Sequence, residues 1–261
     1  MNLFSLSLVD IEQFLMVLFR ISGVIIYAPF FGSRNVPVKV RIFLCLLVSI
    51  LIFPNLRGIL PDTATSSLIL LPIRMIMEIL IGLSIGLIAL IVFAGAQLAG
   101  QMVGMQMGFG IVNVIDPYTG SQISIIGQLQ NIITMWFFII INGHHWFLQG
   151  IADSFHIIPL GDARISEGLV MNLLFLASDA FIIGVKIGAP GIITLLIVSL
   201  MMGIIAKTVP QINILIVGFP VKVAAGLLSI GLAFNLMYIV LEKYFFKLYE
   251  QIYTIFKLFA S

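Results

Sequence analysis

Few residues of this chain have types and spacing that could do chemistry. Gly82-Leu83-Ser84-Ile85-Gly86 carries the G-x-S-x-G pattern of a hydrolase nucleophile elbow, and Asp116 and His144 follow in the order such enzymes use. An elbow needs a strand before its serine and a helix after it. Here the serine sits in the middle of a continuous apolar run, where Gly82 and Gly86 read as a G-x-x-x-G face for helix packing. His144, His145 and His156, with Asp153, could offer metal ligands. Adjacent histidines on a helix or strand point apart, however, and no cysteine joins them. The expectation is a protein without catalytic residues, metal or cofactor.

Ionisable residues inside apolar segments carry more information, because each costs about 2.5–3.5 kcal/mol at a bilayer centre. The set is Arg20, Arg74, Glu78, Asp179 and Lys186. Arg74 and Glu78 stand four residues apart and are expected to pair on one helix face. A proton or ion relay would need a chain of such groups. From Ile79 to Ile115 there is no Asp, Glu, Lys or Arg, so secondary transport loses ground.

Within that charge-free stretch Ala96, Gly100, Gly104 and Gly108 recur every four residues, a ridge poor in side chains against which another backbone can pack closely. Gln97, Gln101 and Met105 run beside it. Amides on a lone lipid-facing helix would lack partners, so they imply neighbouring helices or a wet lumen. Turn formers then thread among large apolar groups: Phe109, Gly110, Ile111, Val112, Asn113, Ile115, Asp116, Pro117, Tyr118 and Gly120. Irregular apolar backbone cannot face lipid and must lie inside an assembly. The physical expectation is a constriction or plug, with Met105 and Met107 closing around it.

The elements that position these residues follow from composition. Of 261 residues, 61% are hydrophobic and 9% charged, with a net charge of +2 and a mean hydropathy of +1.20. That excludes a soluble globule and gives no basic stripe for nucleic acid. Long continuous apolar runs exclude a β-barrel and leave helices as the way to satisfy backbone in lipid. The fold class read here is all-α, a polytopic helical membrane protein. Helices are expected over about 14–31, 42–53, 68–99, 123–141, 169–188, 191–206 and 223–241. The second is too short to span and stops before Pro54, and the break at Gly188-Ala189-Pro190-Gly191 separates two others.

Asp10 and Glu12 stand where a secretory signal would carry basic residues, so the N-terminus reads as uncleaved. The positive-inside rule puts Arg34, Lys39 and Arg41 and the tail lysines in the cytoplasm, with an acidic loop over 154–168 outside. Lys207 and Lys222 do not fit a simple count of spans. In the tail, Phe245, Leu248, Ile252, Ile255 and Phe259 line one helical face, which reads as an interfacial helix on the membrane or a docking surface. Cys45, the only cysteine, excludes an internal disulfide.

Taken together, the motifs resemble the FliR family, the export-gate membrane protein of the bacterial flagellum, related to a component of type III secretion injectisomes. The resemblance rests on Arg20, Pro29, Gly32, Pro37 and Arg41 in RISGVIIYAPFFGSRNVPVKVR, on Gln106-Met107-Gly108 with Asp116-Pro117, and on Lys207, Pro210, Gln211 and Asn213 with Phe219-Pro220-Val221-Lys222. Asn142-Gly143-His144-His145-Trp146, with Ser154-Phe155 and Pro159-Leu160-Gly161, looks more like the flagellar branch. Tyr118 departs from the small or amide residue frequent in relatives.

The resemblance implies one copy joining FliP and FliQ subunits, with FlhB as a further partner, in the inner membrane at the flagellar basal body. It implies helical hairpins that need not span in the ordinary way, an N-terminal part (1–168) like FliP and a C-terminal part (169–261) like FliQ. Unfolded flagellar proteins would pass through a lumen plugged by the segment from Phe109 to Gly120, without enzymatic activity. The injectisome counterpart and an unrelated small-solute transporter remain the alternatives.

Overall fold

A computed structural model describes residues 7–29, 31–32, 36–56, 70–110, 124–163, 166–211 and 213–260. Among them the chain forms eight α-helices and no strand: α1 (Leu8–Tyr27), α2 (Val38–Leu56), α3 (Leu71–Met107), α4 (Ile125–Ile140), α5 (Gly143–Ile157), α6 (Glu167–Thr208), α7 (Ile214–Leu232) and α8 (Phe234–Ala260). The all-α reading holds. Among the described residues α2, α3 and α6 are each long and apolar enough to cross a membrane, and the α4–α5 and α7–α8 pairs raise the total to five if each pair counts as one span.

Where helix limits differ from the sequence expectation, a local contact explains the difference. α1 starts at Leu8, earlier than expected, because Ser7 and Asp10 form a capping box. The Ser7 hydroxyl accepts from the Asp10 N–H at 3.2 Å and the Asp10 carboxylate accepts from the Ser7 N–H at 3.0 Å. The acidic residues there also suit the positive end of the helix dipole. α2 is not the short piece expected. It runs 19 residues with Pro54 inside, and so near the last residue the missing N–H costs one hydrogen bond at most.

α6 corrects the expected break at Pro190, which lies inside a 42-residue helix. An interior proline costs about 3 kcal/mol. Close packing opposes that cost: a Cβ on Gly191 would meet the Val103 side chain at 2.8 Å, and one on Gly188 the Ala99 Cα at 3.5 Å. α5 occupies part of the expected acidic loop, starting after Asn142 in the left-handed region at φ 58°. The expected helix over 223–241 is instead divided at Ala233 between α7 and α8.

The chain forms two compact units. The first holds Met1–Leu90, Asn142–Leu176 and Phe245–Ser261, the second Ile91–Ile141 and Ala177–Tyr244.

In the first unit, α1 meets the first half of α3 through glycine. A Cβ on Gly82 would reach the Val24 N at 2.8 Å and the Gly23 Cα at 3.0 Å, and one on Gly86 the Val24 carbonyl oxygen at 2.8 Å. α1 also meets α2, with the Phe14 and Phe53 rings edge to face at 5.6 Å. The tail helix packs here as well. Phe245, Leu248, Ile252, Ile255 and Phe259 are all buried, Ile252 lies 3.4 Å from the Cβ position of Gly150, and the Ser166 hydroxyl donates to the Leu258 carbonyl at 2.9 Å. The apolar face expected on the membrane surface is thus consumed by the unit's own core.

In the second unit, the later part of α3 is surrounded by α4, α6 and α7. Val103, Met107, Ile126 and Leu195 form its centre, with Phe109, Ile192 and Ile230 packed against them. Phe137 of α4 contacts Phe234 and Tyr238 at 5.0 and 5.4 Å between ring centroids.

Candidate functional site

The buried polar chemistry of the first unit centres on Arg20, fully buried on α1. Its Nε donates to Glu78 Oε2 at 2.5 Å, with neither side chain exposed to solvent. One Nη donates to the Ser154 carbonyl at 2.8 Å and the other to the Ile158 carbonyl at 3.0 Å. The guanidinium carbon lies 4.5 Å over the Phe155 ring, a cation–π contact strengthened by desolvation. Glu78 uses its second oxygen to accept from the Gly161 N–H at 3.0 Å. Every strong group in this cluster has a partner, so it ties α1, α3 and the end of α5 into one arrangement.

This corrects the expected Arg74–Glu78 pair. Arg74 is half-buried beside Gly161, whose Cβ position lies 3.0 Å from the Arg74 Cδ, and Arg20 takes the carboxylate from 58 positions away. Gly161 has a φ of 81°, a backbone shape suited to glycine. Sequence reasoning quoted Ser154 and Gly161 as family markers but missed their place around Arg20. A buried arginine inside an apolar helix signals that acceptors must exist, not which ones.

Asp179 and Lys186, the other intramembrane charges, belong to the second unit. Lys186 is exposed and donates to the Tyr244 hydroxyl at 3.3 Å, with its ammonium 5.5 Å from that ring. Asp179 is half-buried. Ser84 lies within α3 and donates to the Leu80 carbonyl at 2.8 Å, an ordinary helical back-bond in place of an elbow. His144 and His145 do not point apart as expected: their ring centroids are 4.2 Å apart, at the first turn of α5 where the helix is just starting.

In the second unit the small-residue ridge meets partners within the chain. A Cβ on Gly100 would strike the Ile126 carbonyl oxygen at 2.6 Å and the Gly127 Cα at 2.7 Å, and one on Gly104 the Ser124 hydroxyl at 2.8 Å. Ala96 is fully buried. Gly95 and Gly184, not singled out in the sequence, join the same closeness: their Cβ positions lie 2.8 Å from the Ala180 carbonyl oxygen and 3.2 Å from the Gly95 carbonyl oxygen.

Gly108 does something different from the rest of the ridge. It follows the last residue of α3 with φ 102°; its N–H donates to the Met105 carbonyl at 3.1 Å and the Phe109 N–H to the Gly104 carbonyl at 3.1 Å. These are the paired bonds of a Schellman motif, which needs glycine at that position.

Beyond it, Phe109 packs edge to face on Phe219 at 6.0 Å, and Gly110 is half-buried. Met105 is 63% exposed, whereas Met107 is fully buried against Gly226. Ile111, Val112, Asn113, Ile115, Asp116, Pro117, Tyr118 and Gly120 lie outside the described residues.

Most of the family-motif residues occupy helix ends and turns. Pro29 and Gly32 shape the turn after α1, where the Gly32 N–H donates to the Ala28 carbonyl at 2.8 Å; Pro37 precedes α2, its carbonyl accepting from Val40 at 3.0 Å and from Arg41 at 3.3 Å. Lys207, Pro210 and Gln211 are exposed around the end of α6, and Pro220 and Lys222 lie on α7, exposed and half-buried. Asn213 caps α7, its side-chain oxygen accepting from the Ile216 N–H at 3.4 Å.

Comparison with known proteins bears out the resemblance read from these motifs. The family described as bacterial export proteins, family 1, matches residues 11–248. The flagellar biosynthetic protein FliR of Bacillus subtilis is 35% identical over 243 residues, covering 92% of this chain and 93% of the relative. FliR of Pectobacterium carotovorum is 31% identical, covering 87% and 86%, and FliR of Aquifex aeolicus 29%, covering 94% and 97%.

Proposed function

Because the chain belongs to the bacterial export proteins, family 1, we infer that it is a membrane subunit of the flagellar type III protein export apparatus, acting without enzymatic chemistry. The observation that carries this reading is its likeness to flagellar FliR proteins along nearly the full length of both partners. Ser84, committed to a helical back-bond, supports the non-enzymatic part.

In the finer reading, the chain assembles with FliP and FliQ, and with FlhB, in the inner membrane at the basal body, and unfolded flagellar proteins pass through a lumen to which it contributes. Its parts 1–168 and 169–261 correspond to FliP-like and FliQ-like pieces. Large apolar side chains left exposed along α2 and α6, including Phe43, Leu51, Phe175, Phe181, Leu196 and Leu200, support a place among lipid and other apolar helices. The segment from Phe109 to Gly120 then helps to seal the resting gate. Support comes from the anchorage of both flanks: the Schellman turn and Phe219 hold Phe109, and Ser124 caps α4 through the Gly127 N–H at 3.1 Å while lying against Gly104. A turn-rich apolar segment held this way can exclude water from a narrow channel.

Deleting residues 111–115 tests the seal. The expected result is a complex of normal yield that lets ions through the membrane, read as membrane leak in cells expressing the deletion. An intact complex without added leak removes the sealing role, and loss of assembly assigns the segment to packing. Native mass measurement of the gently solubilised complex tests the partners. A homomer that binds a small solute would overturn the export reading.

A further inference from the structure

Gln97 and Gln101 stand one turn apart on α3, inside the stretch from Ile79 to Ile115 that holds no charged residue. Across the contact with α4, the Cβ position of Gly127 lies 3.2 Å from the Gln101 Cγ and 3.2 Å from the Gln97 carbonyl oxygen. On α4, Gln128 follows that glycine directly and Asn131 lies one turn beyond it. Gln128 is exposed and the other three amides are half-buried. Hydroxyls on the same two helices donate to their own backbone, Ser84 to the Leu80 carbonyl and Thr134 to the Gln130 carbonyl, both at 2.8 Å. The four amides do not: among the described residues their side chains have no hydrogen-bond partner. The polar atoms of Gln97, Gln101 and Asn131 are also open to whatever lies beside them.

Lipid chains offer an amide nothing to bond, and the backbone of a neighbouring α-helix is already bonded to itself. An unfolded polypeptide differs from both, since its N–H and C=O groups are unpaired along its whole length. An amide side chain donates and accepts, so it serves either group, and it carries no charge that would hold acidic or basic side chains back. The spacing also suits an extended chain. Gln97 and Gln101 are about 6 Å apart along the helix axis, and an extended backbone repeats the groups on one edge every two residues, about 6.6 Å. We propose that this amide stripe of α3 and α4 lines the transit path and hydrogen-bonds the backbone of the unfolded polypeptide, a contact indifferent to its sequence. The assignment rests on the export reading and names the surface of the second unit that meets the cargo.

Disulfide trapping in the assembled complex tests the stripe. Cys45 is the only cysteine, so in a Cys45→Ser chain the variants Gln101→Cys and Asn131→Cys each present a single thiol. Leu200→Cys, at an exposed apolar position of α6, is the control. The cargo is an exported flagellar protein fused to a domain too stable to unfold, with cysteines spaced along the part arrested in the membrane. Complexes are isolated through that cargo, so each holds an arrested chain, and are then treated with a mild oxidant. The expected result is a cargo adduct with Gln101→Cys and Asn131→Cys that Leu200→Cys does not give. The two sites lie on different helices, so if one variant does not assemble the other decides. No cargo adduct at the stripe, or an equal one at the control, overturns the assignment. Secretion by cells lacking the chain separates this failure from that of the export reading. If secretion stops without the chain and returns with the unaltered one, a missing adduct overturns the stripe alone, whereas secretion that persists without the chain overturns both.

Discussion

Replacing Glu78 with Leu destabilises the chain by about 3–5 kcal/mol, the range for removing one member of a buried ion pair, and replacing Arg20 with Met falls in the same range. Each change strands one charged group in an apolar interior. Without Glu78, the Arg20 guanidinium keeps its charge in a fully buried position, because arginine does not deprotonate in proteins. Without Arg20, Glu78 Oε2 loses the guanidinium it faces and only its other oxygen keeps a donor, the Gly161 N–H. Changing both to Met is expected to recover part of the loss, since no charge is stranded. Recovery stays incomplete because the Gly161 N–H and the Ile158 carbonyl lose the partners they have now. The Ser154 carbonyl still accepts from the Ile158 N–H at 3.0 Å. Denaturation midpoints and accumulated amounts of the three variants in membranes check the order. A Glu78→Leu chain as stable as the unaltered one would show that the pair does not hold the unit together.

Gly100→Ala is the second large effect. Its new methyl would meet the Ile126 carbonyl oxygen at 2.6 Å and the Gly127 Cα at 2.7 Å, and backbone cannot step aside as a side chain can. Overpacking of this kind costs about 1–3 kcal/mol. Gly104→Ala is expected to cost less, since the first atom its methyl meets, at 2.8 Å, is the rotatable Ser124 hydroxyl. Gly203→Ala is the control: nothing lies within 4 Å of its Cβ position, so the helix gains from alanine by about 0.5–1 kcal/mol. The same denaturation assay ranks the three. Equal loss at Gly100 and Gly203 would mean that the ridge on α3 is not closely packed against α4.

The proline segments show why helix limits were only partly readable. Pro54 and Pro190 both look like stops, because the local rule counts the lost N–H and the ring clash. Pro54 sits near a helix end, where little remains to lose. Pro190 lies between Gly188 and Gly191, which face Ala99 and Val103 and let α3 come close. α5 was hidden for the opposite reason: residues 143–157 mix histidines, glycines and the acid Asp153, and the helix exists because Phe155, Ile151 and Gly150 have something to pack on. The tail shows the same dependence. Its apolar face was visible in the spacing, but a membrane surface and a protein core reward that spacing equally, and only contacts with α5 and Ser166 distinguish them.

The amino-acid sequence by itself determined the class of the molecule and the family to which it belongs. Backbone in lipid must bond to itself, so this composition leaves only helices, and dispersed motifs in order and spacing mark the family without any contact being known. It also determined that Arg20 and Glu78 need partners, since neither can be left alone in an apolar interior. Tertiary structure decided who the partners are. Spacing along a helix reports reach over one turn, which made Arg74 the nearest cation to Glu78, while the close approach of α1 and α3 at Gly23 and Gly82 brings Arg20 to it from 58 positions away. Likewise, the repeat of small residues announced a close backbone contact, and the fold supplied Ile126 and Gly127 of the same chain as the surface it meets. Local periodicity encodes what a residue requires, and only the packing of distant segments determines which group meets the requirement.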